Sequence, residues 1–264
     1  MIRYRQKQKR RKTMAIAVFL FLIFAAAGIS FLISSRNSQI IATADTTEPD
    51  NPDTLPKGSV TEEAPTKTEI VCLDPGHGGK DAGAVYKNIT ESELNLKVAL
   101  QVRDMLEADG YKVYMSRSDD SFVYKRPRAR YCNSINASIM VAIHHNSYNT
   151  DHNVNYSTAL YNKDIDKALA ASVLNAVSEK LNTRNQGIAT FDDSLLYIAT
   201  MPAMLSEATF ITSSAEYQQI IQKNSPRITA EAQGIATGIE NYFADQTASA
   251  DITSTDSLII DRPD

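Results

Sequence analysis

Residues 71–84, Val-Cys-Leu-Asp-Pro-Gly-His-Gly-Gly-Lys-Asp-Ala-Gly-Ala, constrain this chain more than any other stretch. A short apolar run reads as a buried strand and then breaks into Asp-Pro and glycines around His77. Pro75 has no N–H to give to a ladder, so the strand must stop there. The glycines let the backbone turn tightly and keep side chains away from His77. An imidazole is therefore expected at the end of a central strand, where open α/β sheets bind their ligands. An ordinary glycine-rich loop with an exposed histidine is the plainer alternative.

The pattern downstream alternates strand with helix. A strand is expected over residues 69–74, and Thr90-Glu91-Ser92-Glu93 opens a helix. Leu94, Val98, Leu100, Val102, Met105 and Leu106 give that helix an apolar face, Thr90 and Glu93 form a capping box, and Gly110 stops it. Further strands are expected over 111–115, 138–143, 157–161, 195–198 and 203–206. Further helices are expected over 125–136, 164–181 and 227–243, with a second capping box at Ser213 and Glu216. Residues 182–187 read as a loop. This alternation specifies an α/β fold, a mostly parallel or mixed sheet flanked by helices on both faces. The apolar run 138–143 fits a strand covered on both sides.

The two ends differ from this middle. Residues 1–12 carry seven basic residues and no acid, and without them the net charge of −4 becomes −11. So acidic a body argues against nucleic acid as a partner. Residues 14–33 are apolar and uncharged, and at about 1.5 Å per residue they match a bilayer's hydrocarbon thickness of about 30 Å. One transmembrane helix is expected there, with residues 1–13 as a basic cytoplasmic tail and everything after it outside. A cleaved signal peptide is the rival, with Ala42-Thr43-Ala44 as its cleavage site, but the run exceeds a usual signal core. Residues 34–67 read as a disordered linker rich in Ser, Thr, Asp, Glu and Pro, residues 68–245 as the folded domain, and residues 246–264 as a disordered tail. Cys72 and Cys132 read as small core residues, although an external chain allows a single disulfide.

His77 and His144 each follow an apolar strand, so in a parallel sheet both reach the same edge. A carboxylate is available at the start of the first helix. Glu91 and Glu93 compete for it, and the capping box occupies Glu93, leaving Glu91 free. Two imidazoles and one carboxylate with a fourth position for water make a catalytic zinc arrangement. Each histidine taken singly also has an ordinary core or surface role. Glu207, closing the strand that follows Met201-Pro202, is the candidate base; an ordinary surface glutamate is its alternative.

These residues carry a resemblance. Leu73-Asp74-Pro75-Gly76-His77-Gly78-Gly79, Glu91 with Asn95-Leu96, Ile143-His144 with Asn146-Ser147, and Met201-Pro202-Ala203 with Glu207 and Phe210 resemble the zinc-dependent N-acetylmuramoyl-L-alanine amidases of the type 3 catalytic domain. The motifs run in order over residues 69–243. The resemblance implies that residues 68–245 are an amidase catalytic domain, that His77, Glu91 and His144 hold Zn2+, and that Glu207 is the catalytic glutamate. It implies peptidoglycan as substrate and an extracytoplasmic catalytic domain, here on a single-pass membrane anchor. His145 falls on a non-ligand position, His152 on none, and Arg128 and Asn133 on a structural helix pattern. Gln186, Ala208, Thr209 and Ser213 depart from the family pattern and bear on substrate contacts and loop shape. Another zinc amide hydrolase of the wall, a peptidase or deacetylase, is the alternative enzyme. An inactive peptidoglycan-binding domain is the alternative without chemistry.

Overall fold

A computed structural model describes residues 67–256. The expected cytoplasmic tail, transmembrane segment 14–33 and most of the linker lie outside the described residues, as does the end of the tail. Among the described residues, no helix is long and apolar enough to cross a membrane.

Strand β1 (Ile70–Pro75) is followed by a two-residue hairpin pair, β2 (Val85–Tyr86) and β3 (Ile89–Thr90), and by helix α1 (Glu91–Ala108). Then come β4 (Lys112–Met115), α2 (Lys125–Ser134), β5 (Ile139–Asn146) and β6 (Ser157–Tyr161). A 3-10 turn (Asp164–Asp166) leads into α3 (Lys167–Leu181), followed by β7 (Asn185–Thr190) and α4 (Ser194–Ile198). Strand β8 (Ala203–Phe210), α5 (Ser214–Ile220) and α6 (Pro226–Asp256) complete the order. The main sheet has six strands in the order β4-β1-β5-β8-β6-β7. Strands β4, β1, β5 and β8 run parallel, β6 pairs antiparallel with β8, and β7 pairs parallel with β6. The expected α/β class therefore holds, with one reversal in an otherwise parallel sheet.

Alternation along the central strands builds a core on each face. Val71, Leu73, Val141 and Ile143 pack with apolar residues of α1, α3 and α6. Cys72, Met140 and Ala142 point the other way, into a smaller cluster with Ala129, Cys132, Leu195 and Leu196. Period-two alternation on a doubly covered sheet gives the continuous apolar reading of these strands.

The second cluster holds a correction. Cys72 and Cys132 are bonded as a disulfide rather than standing as separate core residues, with Cα atoms 5.7 Å apart. Cys72 sits on the face of β1 that α2 covers, so the fold itself brings the two sulfurs together.

Three elements also differ from expectation. Residues 195–198 form helix, because Asp193 caps the turn by accepting the Leu195 amide at 2.8 Å. A short apolar run carries no period that separates strand from helix. Residues 185–190 form edge strand β7, whose mostly exposed side chains hide it among polar loops. Helix α6 runs to Asp256, beyond the expected end at residue 243. The capping boxes are incomplete. Thr90 accepts the Glu93 amide at 3.3 Å, but the Glu93 carboxylate pairs with Lys97 at 2.7 Å. Ser213 makes no side-chain cap, and buried Glu216 pairs with Arg227 instead.

Candidate metal centre

The centre is built where β1 ends. Pro75 stops the strand, and His77 follows in the left-handed region with φ 61°. A non-glycine residue there is strained and needs support. Two buried arginines supply it. Arg117 donates from Nε to the Pro75 carbonyl and from Nη2 to the Gly76 and Ser92 carbonyls, each at 2.8 Å. Arg128 donates to the carbonyls of Pro75 and His77 and pairs with the buried Asp74 carboxylate at 3.1 Å. Five N–H groups in a rigid fork suit guanidinium to this work.

Three side chains converge on this loop. Glu91, in the first turn of α1, places Oε1 3.2 Å from His77 Nε2 and 2.9 Å from His144 Nδ1. His77, Glu91 and His144 each offer one donor atom, all within 4.8 Å of one another. Among the described residues no other group of histidine, cysteine and carboxylate donors converges in this way. The two rings meet edge to face, 5.0 Å between centroids. The second Glu91 oxygen accepts the Ala84 amide at 2.9 Å, which sets the carboxylate's rotation. Asp81 Oδ1 lies 3.0 Å from His77 Nδ1, an ion-pair contact without an aligned hydrogen bond.

Two glycines make the approach possible. A Cβ on Gly76 would sit 2.2 Å from the His144 ring, and one on Gly83 would sit 2.6 Å from Glu91 Oε2. At both places a side chain would fill the space that the donors share.

Glu207 lies on β8 directly beside His144, its register partner on β5. The strands slip register between His144 and Asn146, a bulge-like irregularity of the kind found beside active sites. Glu207 Oε2 is buried without a hydrogen-bond partner. Burial pushes this carboxyl up to about 7, and the Glu91 charge adds to the shift while the histidines oppose it. Burial also works against ionisation of Glu91, but hydrogen bonds from His144 and His77 hold it well below the usual carboxylate range. His77 is raised; burial opposes this, and the neighbouring Glu91 and Asp81 carboxylates outweigh it. The environment therefore separates two carboxylates into a firmly ionised one among the imidazoles and one beside them that takes up and gives up its proton near neutral pH.

A cavity of about 200 Å³ opens onto His77 and His144, lined also by Phe122, Arg128, Leu195 and Leu205. His152 stands elsewhere, bonded to the Thr212 carbonyl at 2.9 Å and packed on Tyr86. His145 points to the opposite sheet face from His144 and is fully buried. Asn133 joins α2 to the α4–β8 connection by bonding Ile198 O and the Thr200 amide.

Two imidazole nitrogens and one carboxylate oxygen converging at a sheet edge, with a second, buried carboxyl alongside, have the donor chemistry of a zinc-hydrolase type of centre on an α/β frame. The family model for N-acetylmuramoyl-L-alanine amidase matches residues 71–241. The chain belongs to that family, whose members are zinc-dependent cell-wall hydrolases. It is 30% identical to N-acetylmuramoyl-L-alanine amidase LytC of Bacillus subtilis over 182 residues, 68% of this chain but only 36% of LytC. It is also 30% identical to the protein YqiI of the same organism, over 68% of this chain and 87% of YqiI. The solved catalytic domain of CwlV, an N-acetylmuramoyl-L-alanine amidase from Bacillus (Paenibacillus) polymyxa var. colistinus, superposes with a TM-score of 0.63 at 29% identity. That match covers 67% of this chain and 98% of the CwlV domain. The donor set found here, cradled by Gly76 and Gly83, fits the zinc that the family implies. The disulfide agrees with a wall enzyme that works outside the cytoplasm.

Sequence reasoning missed Arg117, which grips the loop before His77. Its signal was faint, a single arginine just past the end of β4. It also missed the partners of His145, which are joined only by tertiary structure.

Proposed function

We propose that this protein hydrolyses the amide between the lactyl group of N-acetylmuramic acid and the first L-alanine of the peptidoglycan stem peptide. His77, Glu91 and His144 would hold the zinc ion. When bound, zinc lowers the pKa of water and polarises a carbonyl. Glu207 accepts the proton that the attacking water loses and returns it to the leaving L-alanine nitrogen. The 200 Å³ cavity beside His77 and His144 receives the groups flanking that bond. The arginines that fix the 75–77 carbonyls keep His77 in place while the substrate enters.

The domain, in this reading, spans residues 68–245 and hangs from the membrane by residues 14–33 through the polar linker 34–67. The basic residues before the apolar run support that orientation. The observation that carries the reading is the meeting of three donors with Glu207 alongside. Purified peptidoglycan digested with the protein should release stem peptides with a new L-alanine amine, and a chelator should stop it. A new amine on another residue would mean a peptidase, and released acetate a deacetylase. No product at all, with zinc bound, would mean a binding domain.

A further inference from the structure

Behind the three donors lies a buried polar chain that the proposed mechanism does not use. His145 on β5 is fully buried, with Nδ1 2.8 Å from Asn95 Oδ1 and Nε2 3.0 Å from Glu231 Oε2. Asn95 is fully buried on α1, and its Nδ2 donates to the Gly76 carbonyl at 3.2 Å. Glu231 is buried on α6, 3% exposed.

The proton positions follow from these partners. A carbonyl can only accept, so Asn95 must present its NH2 to Gly76 and its oxygen to His145. His145 Nδ1 must then carry a hydrogen. Its Nε2 shares the remaining proton with Glu231, and on either side of that bond the pair is neutral overall.

Each carrier of a proposed ligand is tied to this chain. Asn95 lies one helical turn after Glu91 and on the same face of α1. The His145 amide itself donates to Glu91 Oε1 at 3.3 Å. His144 is its neighbour on β5. Gly76, held by Asn95, precedes His77. An apolar trio would fill the same interface without the desolvation cost of a buried histidine and carboxylate. Polar groups kept at that cost serve a use beyond packing.

We propose that Glu231, His145 and Asn95 are positioning residues that hold the β1 loop, α1 and β5 in the mutual geometry zinc requires. This rests on the zinc reading of His77, Glu91 and His144. Glu231 is the far anchor: it orients His145, which orients Asn95, which orients the Gly76 carbonyl. Partners behind metal ligands commonly set affinity by about 10- to 100-fold.

The test uses the full chain and reads zinc affinity by competition with a chromophoric chelator, beside the melting temperature of the chelated protein. Glu231→Ala should weaken zinc binding about tenfold or more. Glu231→Gln should stay within about threefold of wild type, because its amide can still donate to His145 Nε2. At saturating zinc, KM should be unchanged in both. A purely structural role would lower the melting temperature and leave zinc affinity where it was. Should Glu231→Ala not fold, the double variant His145→Phe with Glu231→Leu keeps the volume and removes the polar link. It too should lose about tenfold in zinc affinity. Wild-type affinity in folded Glu231→Ala, or in the folded double variant, would overturn the proposal, with the metal reading intact. A wild-type chain that binds no zinc would remove the metal reading and this inference with it.

Discussion

His144 and Glu207 stand opposite one another in the parallel register of β5 and β8. Neighbouring parallel strands thus deliver an imidazole and a buried carboxyl to one sheet edge. One oxygen of Glu207 is buried without a partner, an arrangement that costs stability unless substrate or water uses it. Glu207→Gln keeps the shape and removes the proposed base. It should lower turnover of peptidoglycan by at least about 100-fold. Zinc content of the purified variant should stay at the wild-type level. Full activity in that variant would end the assignment of Glu207 as base.

The same carboxyl gives a pH signature in the chelated protein. Its folded value of about 7 lies above the ordinary 4.5, with burial the main cause. The folded state binds this proton more tightly than the unfolded state. Its contribution is therefore complete below about pH 4.5 and is lost as pH rises through 7. Glutamine is neutral throughout, so chelated Glu207→Gln should match wild type near pH 4.5. It should exceed wild type at pH 8, by up to about 3 kcal/mol. Denaturant melts of both proteins across this range measure the gap. A gap independent of pH would mean that Glu207 is not held protonated. With zinc restored the carboxylate is favoured, so activity should fall on an acid limb lying below pH 7.

Arg128 and Asp74 form a buried ion pair whose arginine also holds the carbonyls of Pro75 and His77. Arg128→Met leaves Asp74 charged and buried with Ser116 as its remaining side-chain partner. The loss should be about 3–5 kcal/mol. Adding Asp74→Leu removes the stranded charge and should recover much of that stability. It should not recover zinc affinity, because the loop before His77 has still lost its donor. Recovery of both together would show that Arg128 serves the ion pair alone.

The sequence shows some of these relations and hides others for physical reasons. β1 and β5 were legible because strands covered on both faces read as unbroken apolar runs. His77 and His144 stood out because each directly follows such a run. Glu91 rather than Glu93 does reach the histidines, yet the reason was only half right. Thr90 caps the helix, but Glu93 turns outward to Lys97, and burial within the cluster is what distinguishes Glu91. β7 was hidden because an edge strand with exposed side chains has no apolar period. The His145 chain was hidden because its partners lie 50 and 86 residues away, at positions only the packed sheet and helices bring together. The cysteine pair was visible as two residues but not as a bond, since pairing depends on which face of β1 meets α2.

That bond yields the last prediction. Cys72 and Cys132 close a loop of 60 residues between β1 and α2. Cross-linking such a loop removes unfolded-state entropy worth about 4 kcal/mol in the chain-entropy model. For a domain of this size, each kcal/mol moves the midpoint by about 2–4 °C. The double variant Cys72→Ala with Cys132→Ala should therefore melt on the order of 10 °C below wild type. A variant is the better probe than a reductant, because added thiols also bind zinc. α2 carries Arg128, whose bonds to the loop before His77 do not need the disulfide. Well below its new midpoint the variant should thus keep zinc and most of its turnover, separating the bond's part in stability from the centre's part in chemistry. Loss of zinc in a fully folded double variant would instead make the disulfide a part of the centre's positioning.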